Sequence, residues 1–209
     1  MEKHYNLIAG GSLERLAALS DGIFSVAMTL LVLDLRVPVA AAIRSDADLG
    51  QALAGLGPQL LMYLMSFMTA GIFWVGQQTQ LNFFKRSDRD LTWIHVGFLT
   101  VVALLPFSTA LLAEHTGLRL ALMVYWLNIL FLGAFLYASL SYADHAGLIR
   151  DDAPENTAAA MCRRILVAQS LYAIGALLCV VDTRLSIAVI ILVQLNYVLA
   201  PRIRLLFRL

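Results

Sequence analysis

The chain has little charge, almost no cysteine and no cluster of metal-binding side chains, and each shortage removes a class of function. Only 14% of its 209 residues are Asp, Glu, Lys or Arg, where soluble domains run near 25%. With 60% hydrophobic residues and a mean hydropathy of +0.78, this predicts an all-α integral membrane protein in a lipid bilayer. No stretch outside the apolar segments is long enough for a separate soluble domain, so a folded ligand-sensing module is not expected. The net charge is +1 and no basic tract resembles a nucleic-acid patch, so no nucleic-acid partner is expected. The two cysteines, Cys162 and Cys179, fall on one predicted helix about 25 Å apart at ~1.5 Å per residue. They cannot pair and read as small apolar residues. A membrane hydrolase or zinc protease would need His, Glu or Cys at ligand spacing, such as H-E-x-x-H. That pattern is missing, and His115 and His145 stand alone in predicted loops. Neither enzymatic activity nor a resident metal or cofactor is expected. The opening MEKHYNLIAGGSLERL lacks the short apolar core and small-residue site of a cleavable signal peptide.

What is present is apolar length. Hydrophobic runs read against turn signals give six predicted spans in a single transmembrane domain, at approximately 13–36, 56–83, 91–113, 118–142, 160–181 and 184–205. The polar SDAD at 45–48, KRSDRD at 85–90, AEHTG at 113–117 and DHAGLIRDDAPEN at 144–156 separate them, and Asp182-Thr183-Arg184 is a tight turn. Pro58 is placed in the first turn of the second span, where its missing N–H costs little. Pro106 falls inside the third and is expected to kink it.

An even number of spans puts both termini on one side. That side carries Lys3, Arg15, Lys85, Arg86, Arg89, Arg150, Arg163, Arg164, Arg202, Arg204 and Arg208; the other carries Arg36, Arg44, Arg119 and Arg184. Eleven of the fifteen basic residues on one side predict cytoplasmic termini and a multi-pass protein of the plasma membrane. No internal repeat suggests an inverted-repeat transporter. No row of basic residues at three-residue spacing suggests a voltage sensor.

The first span, RLAALSDGIFSVAMTLLVLDLRVP from Arg15 to Pro38, is the most informative. Its uninterrupted apolar part, Ile23 to Leu33, is too short for a hydrocarbon core of roughly 30 Å, which takes about 20 helical residues. Crossing the bilayer therefore draws Ser20 and Asp21 in, and ionisable groups at such depth normally face a partner helix or water. On a helical wheel Gly22, Val26, Thr29, Leu30 and Leu33 share a sector about 100° wide, with Ser25 beside it. Two readings of that face compete: a helix-packing surface with Thr29 bonded to its own backbone, or the lining of an ion path. Arg15 and Asp21 lie about 240° apart, so each needs a partner on another helix. Trp74, Gln77 or Gln78 in the second span, and Trp93 and His95 in the third, sit at the matching depth. The alternative for Ser20-Asp21-Gly22 is an N-cap starting a shorter, re-entrant helix. Elsewhere, the intramembrane amides Asn128, Gln169, Gln194 and Asn196 are expected to bond between helices, and Tyr125, Trp126, Tyr137 and Tyr142 read as interfacial or packing aromatics.

Arg15-x-x-x-Leu19-Ser20-Asp21, followed by an apolar run ending in LVLDLRVP, resembles the first-helix signature of the transmembrane protein 175 family of potassium channels. Leu19 stands where that signature has Phe. Phe73-Trp74, Leu91-x-Trp93 and Leu105-Pro106-Phe107-Ser108-Thr109 extend the resemblance over about the first 115 residues. Members commonly carry His where this chain has Gln77 or Gln78, and Asn near His95. The resemblance implies a homo-oligomer, a tetramer of six-helix subunits, with the first helix of each copy lining a central pore. It implies an apolar constriction at Val26, further apolar layers at Leu30 and Leu33, and a selectivity-linked hydroxyl at Thr29 with Ser25 adjacent. It also implies a signature polar network of Arg15, Ser20, Asp21, Trp74, Gln77, Trp93 and His95, and no cofactor beyond the permeant potassium ion. Val26 is smaller than the Ile or Leu usual at the constriction, which predicts a wider gate. The chain has no TVGYG-like loop, so stacked backbone carbonyls cannot supply selectivity, and a hydroxyl ring alone predicts modest discrimination. Asp34 is placed at the outer mouth, where it either concentrates cations or pairs with Arg36. A proton-permeable channel and a proton-coupled secondary transporter remain the alternative expectations, motivated by Asp21 and His95 at membrane depth.

Overall fold

In the computed structural model, residues 12–40 and 43–199 are described. The expectations for Lys3, Arg202, Arg204, Arg208 and the end of the sixth span lie outside them.

Helix α1, Leu13–Leu30, runs on as a 3₁₀ turn over Leu31–Asp34. Its buried face is Leu16, Ser20, Phe24 and Ala27, with Leu31 following; spacings of three and four keep them on one side. Ser20 and Asp21 are in mid-helix, so no re-entrant helix starts there. The predicted break at 45–48 is itself a helix start. In α2, Asp46–Gly55, the Asp48 N–H donates to Ser45 Oγ at 3.2 Å. The Asp48 carboxylate reaches back to the Arg44 N–H at 3.0 Å, a reciprocal cap of the S-x-x-D kind.

Helix α3, Gly57–Phe83, carries Pro58 in its first turn. Helix α4, Arg89–Ala103, is capped by Asp88, whose carboxylate accepts the Leu91 N–H at 2.9 Å. The chain breaks at Leu104 and resumes as α5, Leu105–Glu114, because Pro106 has no N–H for the preceding turn and its ring crowds that turn's carbonyl. Helices α6, Arg119–His145, and α7, Thr157–Leu177, follow. A 3₁₀ turn at Leu178–Val180 leads to α8, Thr183–Leu199. Among the described residues, five segments are long and apolar enough to cross a bilayer: 13–34, 57–83, 89–114, 119–145 and 157–180. The sixth apolar helix, α8, has 17 described residues, about 26 Å at ~1.5 Å per residue.

Helix α6 is the centre of the packing, with Leu122, Tyr125, Ile129 and Leu140 fully buried. Tyr125 is a packing aromatic of the core, one of the two readings expected for this helix's aromatics, and its hydroxyl also anchors a polar cluster. Its hydroxyl lies 2.8 Å from Thr69 Oγ1 and 3.3 Å from Ser66 Oγ. Thr109 Oγ1 lies 2.7 Å from Ser66 Oγ, and Gln194 Nε2 donates to Thr69 Oγ1 at 2.6 Å. One connected set of buried hydrogen bonds thus joins α3, α5, α6 and α8, where lipid offers backbone and side chains no substitute partner. Asn128 and Gln169 bond across helices as expected, to the carbonyls of Val101 and Ile129, both at 3.2 Å.

Gln169 reaches Ile129 only because position 133 is glycine. A Cβ there would lie 1.8 Å from Gln169 Nε2 and 2.4 Å from its Cδ. Gly133→Ala is expected to expel the amide and destabilise the chain by about 1–3 kcal/mol, read as a lower melting temperature in detergent. Adding Gln169→Ala should recover part of that loss; no recovery would contradict this packing account.

Candidate functional site

The Ser20 side chain decides how α1 is turned. Its residue is fully buried; its hydroxyl donates to the Leu16 carbonyl at 3.0 Å and accepts from Gln77 Nε2 at 2.5 Å. Thr29 is nine residues on, about 180° around the helix. Holding Ser20 against α3 therefore turns Thr29 and its neighbours away from the subunit core. Arg15, Ala18, Leu19, Gly22, Ser25, Val26, Thr29, Leu30 and Leu33 are all exposed on the single chain. Val26 is 55% and Leu33 68% accessible, an apolar stripe that none of the described residues covers. The Thr29 hydroxyl donates to the Val26 carbonyl at 2.8 Å. That consumes its only hydrogen and leaves the oxygen lone pairs free on the stripe.

The signature residues divide between the two helices differently from the expectation. Asp21 accepts from Trp74 Nε1 at 2.8 Å and from Gln78 Nε2 at 2.9 Å. Gln77 and Gln78 therefore both join, one serving Ser20 and the other Asp21. Trp93 makes no such bond and is 62% exposed. Arg15 is exposed and has no hydrogen-bond or ion-pair partner among the described residues. His95 is buried, but its Nδ1 bonds to the Leu91 carbonyl at 3.0 Å, and no hydrogen bond ties it to Ser20 or Gln77. Within one subunit the network is thus Ser20, Asp21, Trp74, Gln77 and Gln78. The direction of each side chain is set by helix phase, which residue type and depth alone do not determine.

At the other end of the helix, Arg36 pairs with Glu114 of α5 at 3.4 Å, a contact the sequence reading missed because 78 residues separate them. Asp34 takes no ion pair from Arg36. It lines a cavity of about 150 Å³ together with Arg36, Gln59 and Glu114. The exposed Arg36–Glu114 pair is worth ~1 kcal/mol or less. Among the described residues no group of three His, Cys, Asp or Glu side chains converges to hold a metal ion.

Residues 15–106 match the family model described as the endosomal/lysosomal potassium channel TMEM175. A potassium channel of Streptomyces collinus is 40% identical over 101 residues, 48% of each chain. A potassium channel of Chamaesiphon minutus is 29% identical over 191 residues, 88% of this chain and 93% of the relative. The human endosomal/lysosomal proton channel TMEM175 is 31% identical over 102 residues, 46% of this chain but 20% of its own. The matches thus span about half the Streptomyces protein, a fifth of the human one and nearly all of the Chamaesiphon one. The crystal structure of a lysosomal potassium-selective channel TMEM175 homolog from Chamaesiphon minutus superposes with a TM-score of 0.77 at 26% identity. That superposition covers 91% of this chain and 98% of that one.

If Ser20 sets the rotation of α1, removing its hydroxyl must cost more than neutralising Asp21. Ser20→Ala leaves the buried Gln77 N–H without an acceptor, a loss of roughly 1–3 kcal/mol. Asp21→Asn keeps an acceptor oxygen in an exposed position and should shift thermal stability less. The reverse order, measured in the same detergent, would contradict the assignment.

Proposed function

This chain belongs to the transmembrane protein 175 (TMEM175) family, and on that premise we propose that it forms a leak-type, modestly potassium-selective cation channel. In this reading several copies, four by analogy with the family, turn the exposed stripe of α1 toward a shared axis. The observation that carries the reading is the stripe itself: apolar, uncharged from Gly22 to Leu33, and left uncovered by the described residues opposite a packed face.

Each layer then has a role set by its chemistry. A ring of Val26 side chains forms the narrow apolar constriction, with Leu30 and Leu33 as further layers toward the outside; such rings close a pore by expelling water. The Thr29 oxygens, with Ser25 nearby, replace part of an ion's hydration shell and favour potassium over sodium. Asp34 at the outer end raises the local cation concentration by Coulomb attraction. The excess of basic residues on the side of both termini supports a cytoplasmic position for them in a plasma-membrane channel.

Proton permeation is the second reading, favoured by the name of the human relative, and an exchanger is the third. Flux from potassium-loaded proteoliposomes separates them. A channel gives current that reverses at the potassium Nernst potential. A proton path shifts the reversal when pH is stepped, and coupled exchange stays electroneutral.

Two substitutions test the layers in planar bilayers. Thr29→Ala should move the bi-ionic reversal potential toward zero, with the potassium-to-sodium ratio falling at least about twofold as the hydroxyl ring is lost. Val26→Leu should narrow the constriction and reduce single-channel conductance or open probability. An unchanged permeability ratio in the first, or unchanged conductance and open probability in the second, would count against that layer.

A further inference from the structure

Two adjacent arginines of α7, Arg163 and Arg164, are exposed, and among the described residues no carboxylate pairs with either. In the loop that precedes α7, Asp151 is taken by Lys85 and Asp152 by Arg150. Asp144 and Glu155 form no ion pair with the two arginines. From Thr157 to Leu209 the sequence holds a single acidic residue, Asp182. It lies beyond the opposite end of α7, where its carboxylate accepts the N–H groups of Arg184 and Leu185 at 2.6 and 3.1 Å.

Helix phase gives the two arginines different surroundings. Arg163 shares a sector about 80° wide with Leu166, Ser170, Ile174 and Leu177, and this whole stripe is exposed. Tyr172 and Ala176 are buried on the opposite face. Arg164 lies about 100° further round, on the side where α7 meets α8. Gly175 is on that side too, and a Cβ there would lie 3.2 Å from Ile190 Cγ1 of α8. The Arg164 guanidinium carbon sits over the Tyr197 ring of α8, 5.9 Å from its centroid. A cation held by its face on an aromatic ring keeps the N–H donors along its edge available.

The pair also stands at a boundary. Ile165 to Val181 is an uncharged run, about 25 Å long at ~1.5 Å per residue, so the arginines mark where the apolar surface of α7 begins. Tyr197 lies near the matching end of α8. Arginine and tyrosine at such a level meet lipid headgroups, while the apolar stripe beyond them meets acyl chains. A soluble anion would leave that stripe unused, and a zwitterionic headgroup brings a cation of its own that two arginines repel. We propose that Arg163 and Arg164 bind the phosphate of an anionic phospholipid, with Tyr197 orienting Arg164 and an acyl chain lying along Leu166, Ile174 and Leu177. Guanidinium groups match phosphate oxygens through paired N–H donors. The site is built on helices other than α1, and its test does not require ion conduction.

Native mass spectrometry of the full-length protein, titrated with phosphatidylglycerol or with phosphatidylcholine of the same acyl chains, reads the binding directly. Phosphatidylglycerol is expected to bind more tightly. Arg163→Gln/Arg164→Gln should weaken it at least about fivefold and leave phosphatidylcholine binding unchanged. Arg184→Gln, a charge removed at the other end of α8, should leave both unchanged. Tyr197→Phe keeps the ring and should keep the affinity, whereas Tyr197→Leu should lower it. Equal affinity of the wild type for the two lipids would overturn the proposal, as would undiminished phosphatidylglycerol binding in the double variant or an equal loss in Arg184→Gln. Displacement of phosphatidylglycerol by equimolar inorganic phosphate would assign the pair to a soluble anion and overturn it as well. So would a changed subunit count in the double variant with lipid binding intact, which would mark a contact between copies. If the double variant does not fold, a phosphatidylglycerol carrying a photoreactive acyl chain decides on the wild type: labelling between residues 163 and 177 is expected, and labelling confined to other segments would overturn the assignment.

Discussion

Everything on the outward face of α1 depends on the inward grip at Ser20. A transmembrane helix with apolar residues all round has no reason of its own to prefer one rotation in lipid, because lipid tails and apolar side chains are equivalent surroundings. A buried hydroxyl removes that degeneracy. Once Ser20 must face Gln77, Phe24 and Ala27 follow it into the core, and Val26, Thr29 and Leu33 are carried to the opposite side. Gln78 and Trp74 add a second hold through Asp21, at the flank of the same helix. The energy involved is modest, on the order of 0.6–2 kcal/mol per membrane hydrogen bond. It decides orientation because little else competes.

A similar economy operates on the far side of the subunit. The Ser66, Thr69, Thr109, Tyr125 and Gln194 cluster binds four helices at one place, and Thr109 is three residues past Pro106. The proline that interrupts α4 and α5 therefore does not leave α5 loosely attached. Its C-terminal end carries Glu114 to Arg36, so the C-terminal end of the first span is connected to the same well-anchored segment. The loops at the opposite end are tied in by backbone bonds. Lys85 N–H donates to the Leu148 carbonyl and Arg150 N–H to that of Phe83, both at 2.9 Å, so α3 and the segment after α6 end together.

Much of this was legible from apolar length, because spans in lipid must satisfy their own backbone and therefore read as long hydrophobic helices. The break at Pro106 and the placement of Pro58 followed from a missing N–H. The stripe on α1 followed from periodicity, and its outward direction from neither: a wheel gives faces, and only the Ser20–Gln77 contact says which face is in. Trp93 and His95 show the same limit. Both lie at the depth of Asp21, yet helix phase turns one out to the surface and the other onto its own backbone. The short helix at 46–55 was hidden because its polar start resembles a loop. The Ser45-x-x-Asp48 spacing was the available signal. Tyr125 packs in the core, as one of its two readings had it, but its hydrogen-bond partners were not legible because they come from helices distant in sequence.

The relatives give the fold and the family, and the proposed function turns on the direction of α1. Cysteine scanning along α1, in a Cys162→Ala/Cys179→Ala background and with current recorded throughout, measures that direction. The account predicts that water-soluble thiol reagents modify Val26→Cys, Thr29→Cys and Leu33→Cys and block current, while Phe24→Cys and Ala27→Cys stay unreactive. Stripe positions that react without blocking, or that face only lipid and never react, would contradict it.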